Sequence, residues 1–109
     1  VKDDYRLKLI INFIISECLE EFYLEADQFQ SSTIRDYREG RMACYHLLKK
    51  YTDSSYSRIA EHFNWPVHTI YYFCQKCTEM LNFTEFYEPF NNKYKSLERR
   101  TTAFIAKLK

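Results

Sequence analysis

One glycine and two prolines in 109 residues leave little of the material from which tight turns are made. Sheet proteins of this size use glycines at their turns, so the scarcity points to helices joined by short connections. The lone glycine, Gly40, also excludes a glycine-rich phosphate loop, which needs several, and no ATPase activity is expected. Net charge is scarce as well. Sixteen Lys and Arg against 15 Asp and Glu give +1, whereas domains that live on nucleic acid usually carry a clear basic excess. A DNA-facing surface would have to arise by segregation, and some is visible: Glu17, Glu20, Glu21, Glu25 and Asp27 lie near the front, while Arg35, Arg38 and Arg41 fall together later. No apolar run reaches spanning length. Leu9 to Ile15 is short and broken by Asn12, no signal peptide is visible, and no membrane partner is expected. Histidine is limited to His46, His62 and His68, none in a context that argues for a nucleophile or a paired base, so no enzyme is expected. The chain opens on Val1 rather than Met, which reads as a trimmed form or a piece of a longer protein.

What is plentiful is apolar and aromatic. Hydrophobic residues make up 46% of the chain, enough for a packed core rather than disorder, and 10 Tyr and 9 Phe dominate it. Many tyrosines fall at helical spacing, which suits a core whose hydroxyls reach water; a partner surface or base-stacking surface is the alternative. Four cysteines are present: Cys18, Cys44, Cys74 and Cys77. Cys74 and Cys77 form a CxxC, but no second ligand pair stands at zinc-site spacing, and His62 and His68 match no finger pattern. Two small core residues three apart on a helix explain the pair, so neither metal nor cofactor is expected. Free thiols imply a reducing compartment and so a cytoplasmic protein.

The periodicity predicts an all-α chain: a compact single domain over 1–109, with about five helices around a helix-turn-helix. Residues 1–30 hold a packing helix, Tyr5 to about Ala26, with Leu7, Ile10, Ile11, Ile14, Ile15, Cys18, Leu19 and Phe22 inward. Residues 33–81 form the core of the arrangement. A helix from about Thr33 to Tyr51 uses Ile34, Tyr37, Met42, Cys44 or Tyr45, and Leu48. A short helix, Tyr56 to Phe63, is capped by Ser55 and turns Ile59, Ala60 and Phe63 inward. After Asn64 and Trp65, Pro66 suits the first turn of a helix running to about Leu81. Val67, Tyr71, Cys74, Thr78 and Leu81 read as its inner stripe, leaving His68, Thr69, Tyr72, Gln75, Lys76 and Glu79 outside. Residues 83–109 read as a helix from Phe83 to Leu97, with Phe86, Phe90, Tyr94 and Leu97 on one side. Pro89 marks a late start or a kink, and the basic tail carries Arg99, Arg100, Lys107 and Lys109.

A short helix, a tight turn and a longer helix are what a DNA-binding helix-turn-helix requires, although many bundles contain such a corner. Particular residues sharpen the comparison. Arg41-Met-Ala-Cys-Tyr45 is followed by Thr52, then Ser55 with Ile59-Ala60 and Phe63, then Val67-His68-Thr69-Ile70, with Leu81 closing. In order and register these residues resemble the signature region of the C-terminal DNA-binding domain of the bacterial replication initiator DnaA. The resemblance covers roughly residues 31–97 and implies a DnaA C-terminal, Trp-repressor-like fold that places a helix in the major groove. It implies that Arg41 takes the place of a minor-groove arginine, and that His68 and Thr69 are base and methyl contacts. Short polar side chains at a helix start suit that role physically.

The chain also departs from the family. Pro66 and Val67 stand where the family has Arg and Asp, the basic loop is reduced to Arg35 and Arg38 with Asp36 and Glu39 between them, and Tyr71 and Tyr72 are bulkier than the usual residues. Fewer phosphate contacts imply weaker, less salt-sensitive binding. The expectation is a bacterial, sequence-directed binder of duplex DNA in replication, transcription or mobile-element control. Its candidate DNA-binding residues are Arg35, Arg38, Arg41, Ser55, His68, Thr69, Tyr72, Gln75 and Lys76. The alternative is a protein-interaction module, or a member of a larger replication or regulatory complex, that keeps the fold without binding DNA.

Overall fold

A computed structural model of the chain describes residues 2–108, with side chains from residue 4 onward; Lys109, counted above in the basic tail, lies outside them. The described residues are all-helical: α1 (Lys2–Glu21), a single 3-10 turn (Ala26–Gln28), α2 (Arg35–Tyr51), α3 (Tyr56–Phe63), α4 (Val67–Asn82) and α5 (Glu88–Lys107). None of these helices is long and apolar enough to cross a membrane.

The inward residues of α1 fall at helical spacing, and Leu7, Ile10, Ile11, Ile14 and Cys18 are all buried. The helix stops well short of Ala26. Tyr23 adopts a left-handed conformation (φ 58°), and the Leu24 N–H closes back on the Leu19 carbonyl at 2.8 Å. Glycine usually fills such a position, because a side chain there is strained, so no residue type in the sequence announces the stop. The rings of Phe22 and Tyr23 lie under the Lys93 ammonium at 5.0 and 5.9 Å.

α2 is the central helix and packs against the other four. Its buried positions run almost without a break from Gly40 to Tyr45, then Leu47 and Leu48, so both Cys44 and Tyr45 point inward. Ile34, expected in the inner stripe, instead precedes the helix in extended backbone and is exposed. A Cβ on Gly40 would lie 2.8 Å from Leu24 Cδ1, with the Phe29 and Phe22 rings behind it. No turn or positive φ calls for this glycine, and a methyl group here would require only the tip of the Leu24 side chain to shift.

The connection from α2 to α3 is polar, and Ser55 Oγ accepts from the Arg58 N–H at 3.1 Å to cap α3. α3 turns Ile59, Ala60 and Phe63 into the core and ends on Asn64 in the left-handed region (φ 56°, ψ 43°), a conformation asparagine tolerates. The Trp65 N–H then donates to the Ala60 carbonyl at 3.0 Å. α4 begins after Pro66, one residue later than expected, with a different inner stripe. Ile70, Cys74, Cys77 and Met80 are buried, whereas Val67, Tyr71 and Thr78, expected inside, are exposed. The sequence carries apolar residues at two phases of the helix, and the core takes the Ile70–Cys74–Cys77–Met80 stripe rather than the expected one.

α5 starts at Glu88 rather than Phe83, because Pro89 belongs to its first turn, where a missing N–H costs no helical hydrogen bond. Phe86 is left in the preceding loop and is 80% exposed, while Phe90, Tyr94 and Leu97 are buried as expected. The helix continues through the tail to Lys107, and the tail's charge is partly engaged. Arg100 bridges Glu17 at 2.6 Å and Glu21 at 2.9 Å on the acidic face of α1. Phe13 and Phe104 stack at 4.1 Å between the same two helices. A contiguous apolar cluster draws on all five helices.

His46 joins α2, α4 and α5 through hydrogen bonds. Thr78 Oγ1 donates to the Cys74 carbonyl at 3.1 Å and so accepts from His46 Nε2–H at 3.2 Å, while Nδ1 accepts from the Tyr94 hydroxyl at 2.6 Å. This network suits a neutral ring. Burial lowers the His46 pKa below its ordinary value, and Lys50 pushes the same way while Glu98 opposes. The folded state therefore binds fewer protons than the unfolded state. The stability this histidine contributes is present above the unfolded histidine value of about 6.5 and is lost as pH falls through it. The urea midpoint is expected to drop between about pH 7.5 and pH 5.5, and His46→Gln is expected to flatten that slope. Asp4 and Glu98, whose pKa values are also lowered, act only in the more acidic carboxylate range. A wild-type midpoint constant across the histidine range would show that the network does not hold the ring neutral.

Candidate functional site

The most distinctive corner of the molecule is α3, the turn at 64–66 and α4, with α2 packed behind α4. Tyr45 is its keystone. The ring is fully buried, edge-on to Phe63 of α3 at 4.9 Å and to Phe73 of α4 at 5.7 Å. Its hydroxyl donates to Gln30 Oε1 at 3.1 Å, and Gln30 Nε2 donates to the Phe63 carbonyl at 3.1 Å, satisfying an end of α3. Burial raises the Tyr45 pKa strongly, so the hydroxyl stays neutral and available to donate.

That packing leaves one face of α4 in solvent. Val67 is 45% exposed, Tyr71 49% and Tyr72 58%, and His68 and Gln75 are exposed beside them. Residues three and four apart share a helix face, so the five form one strip along the first turns. The strip contains no acid and no Lys or Arg. Glu79 is the only acid on α4, and Lys76 lies 3.7 Å from it. At the edge of the strip, the Tyr56 ring of α3 meets Tyr71 edge-on at 5.2 Å and has the Lys49 ammonium over it at 4.9 Å. A shallow recess of about 300 Å³ opens alongside, lined by Lys49, Lys50, Tyr56 and Gln75 among others.

The structure brings His68, Tyr72 and Gln75 together in the exposed strip, with Thr69 half-buried at its margin, its N–H bonded to the Pro66 carbonyl at 3.0 Å. Ser55 is an exposed helix cap. Arg35 and Arg38 are exposed at the start of α2, and Arg35 is paired with Glu39 at 3.1 Å. Arg41 is the exception. It is only 4% exposed, with one guanidinium nitrogen donating to the Phe29 carbonyl at 2.7 Å and the group lying 5.6 Å from the Phe73 ring. Its Nε has no hydrogen-bond partner, and burial lowers its pKa. In this conformation Arg41 does not present its guanidinium to a groove, because it is packed between the loop before α2 and the back of α4.

Val67 and Tyr71 are exposed and Lys49 is half-buried at the edge of the strip; none of the three was among the expected site residues. The signal available for the first two was the competing stripe Ile70–Cys74–Cys77, whose spacing fits the helix period equally well. The four cysteines are buried free thiols, and burial raises the pKa of Cys74 to about 11. Among the described residues, no group of three or more His, Cys, Asp or Glu side chains is placed to hold a metal ion. Compared with known proteins, the chain matches no family model, no curated protein and no solved structure.

Proposed function

We propose that this chain binds duplex DNA, with α3, the turn and α4 acting as a helix-turn-helix and the exposed strip of α4 entering the major groove. The observation that carries this reading is the strip itself. Base edges offer hydrogen-bond donors, acceptors and methyl groups, and they are read by polar side chains, Gln on adenine among them, and by apolar contact with the thymine methyl. His68, Tyr72 and Gln75 meet that description, with Thr69 at the helix start. The order and register of the DnaA-like residues support the same reading, and in a bacterial cell it would put the protein at the nucleoid. Phosphate contact would fall to Arg35, Arg38, Lys49, Lys76 and the Ser55-capped start of α3; the pairs Arg35–Glu39 and Lys76–Glu79 lie on the surface and exchange readily for phosphate.

Few cations imply few released counterions. The affinity for a duplex is expected to fall with salt, but on a logarithmic plot with a slope of only about −2 to −4. Fluorescence anisotropy against a DnaA-type duplex and a scrambled one, over a salt series, tests this. The triple variant H68A/Y72A/Q75A is expected to lose any preference between duplexes while keeping its fold, because all three side chains are exposed. Absence of binding to either duplex at low salt would sink the DNA reading. The exposed Val67, Tyr71 and Tyr72 would then favour the second reading, a protein-interaction module that docks a partner on the same strip.

A further inference from the structure

We infer that Val67 is a specificity-determining residue that reads thymine through its C5 methyl group; this rests on the DNA reading above and names what α4 would select. Val67 is the first residue of α4 and the one aliphatic side chain in the exposed strip. It is nearly half exposed and belongs neither to the buried cluster nor to the partly buried residues packed on it. The core therefore gives no account of an apolar residue at this position, yet it stands beside His68 and one turn before Tyr71.

The chemistry of the groove is selective toward such a group. In the major groove, thymine is the base that offers a methyl; the other edges offer donors and acceptors that valine cannot satisfy. Against thymine, Val67 removes two apolar surfaces from water. Against the other bases it would cover polar edges without pairing them, which is unfavourable. Charge supports a nucleic-acid occupant: no acid precedes Glu79 on α4, whose own charge is paired with Lys76, and the Lys49 ammonium stands at the edge of the strip over the Tyr56 ring.

The test begins by selecting binders at low salt from a pool of duplexes with a randomised centre. The selected duplex is then remade with deoxyuridine replacing one thymine at a time, which removes the methyl and nothing else. One such replacement is expected to weaken wild-type binding about fourfold, the factor that burial of a single methyl group sets. Val67→Ser is expected to bind the thymine and uracil duplexes equally, with an unfolding midpoint like that of the wild type because the side chain lies outside the core. Equal wild-type affinity for both duplexes at every position would overturn the inference while leaving DNA binding intact, and so would a Val67→Ser protein that still prefers thymine. A pool from which nothing is retained would overturn the DNA reading itself, and this inference with it.

Discussion

Arg41→Ala is expected to lower the unfolding free energy by about 2–4 kcal/mol, and Arg41→Met to recover most of that loss. The side chain is almost fully enclosed, so truncation leaves a cavity between the loop before α2 and the back of α4. The charge itself contributes through opposing effects. A hydrogen bond from a charged donor to the Phe29 carbonyl is worth about 1.5–3 kcal/mol, and the contact with the Phe73 face about 1–2 kcal/mol. Against these stands the cost of burying a cation with no carboxylate beside it and an unpartnered Nε. Arg41→Ala and Arg41→Met both remove the charge with its gains and its cost, so the stem's packing is the difference between them. Urea unfolding of the two variants reads that difference. Duplex binding by Arg41→Met separates the structural role from the groove role that the resemblance implies. A well-folded Arg41→Met protein that binds as tightly as wild type fits a packing arginine. One that folds and loses affinity would mean that the side chain swings out on DNA.

Arg41 also illustrates where the sequence stops being readable. Its register in a familiar pattern was legible, but its burial was not, because burial depends on the loop 22–34 folding over α2. Glu25 N–H donating to the Tyr37 hydroxyl at 2.8 Å and the close pass of Leu24 over Gly40 hold that loop in place. Nothing in the local pattern encodes either contact. α3 was legible to the residue, since its ends are written locally by Ser55 and by Asn64-Trp65-Pro66. The end of α1 was not, since Tyr23 takes a left-handed turn that residue type disfavours. The face of α4 was half legible. His68, Tyr72 and Gln75 lie outside in either phase, but Val67 and Tyr71 change sides, because the helix is apolar on more of its circumference than one stripe needs. The surplus is the exposed strip, so the same feature that blurred the periodicity marks the candidate site.

Tyr45→Ala is expected to remove about 3–5 kcal/mol, enough to unfold a marginal domain near physiological temperature. The expected fall in melting temperature is about 15–25 °C, read by circular dichroism. The size follows from position rather than area alone. Tyr45 is the side chain against which Phe63 and Phe73 both pack, so its loss removes the common support of α2, α3 and α4 and leaves a ring-sized void. Tyr45→Phe keeps the ring and loses only the hydroxyl's bond to Gln30, at a cost of about 1 kcal/mol. That smaller change is still informative about function. Gln30 uses its amide nitrogen to satisfy the Phe63 carbonyl at the turn, so a freed Gln30 loosens the angle between α3 and α4. If that angle aims the exposed strip, Tyr45→Phe is expected to weaken duplex binding more than its loss of stability predicts, because every residue in the strip is misplaced together. Binding unchanged in a Tyr45→Phe protein of slightly lower stability would show that the angle is held by packing alone, and that the Tyr45–Gln30–Phe63 chain contributes stability without setting the geometry of the site.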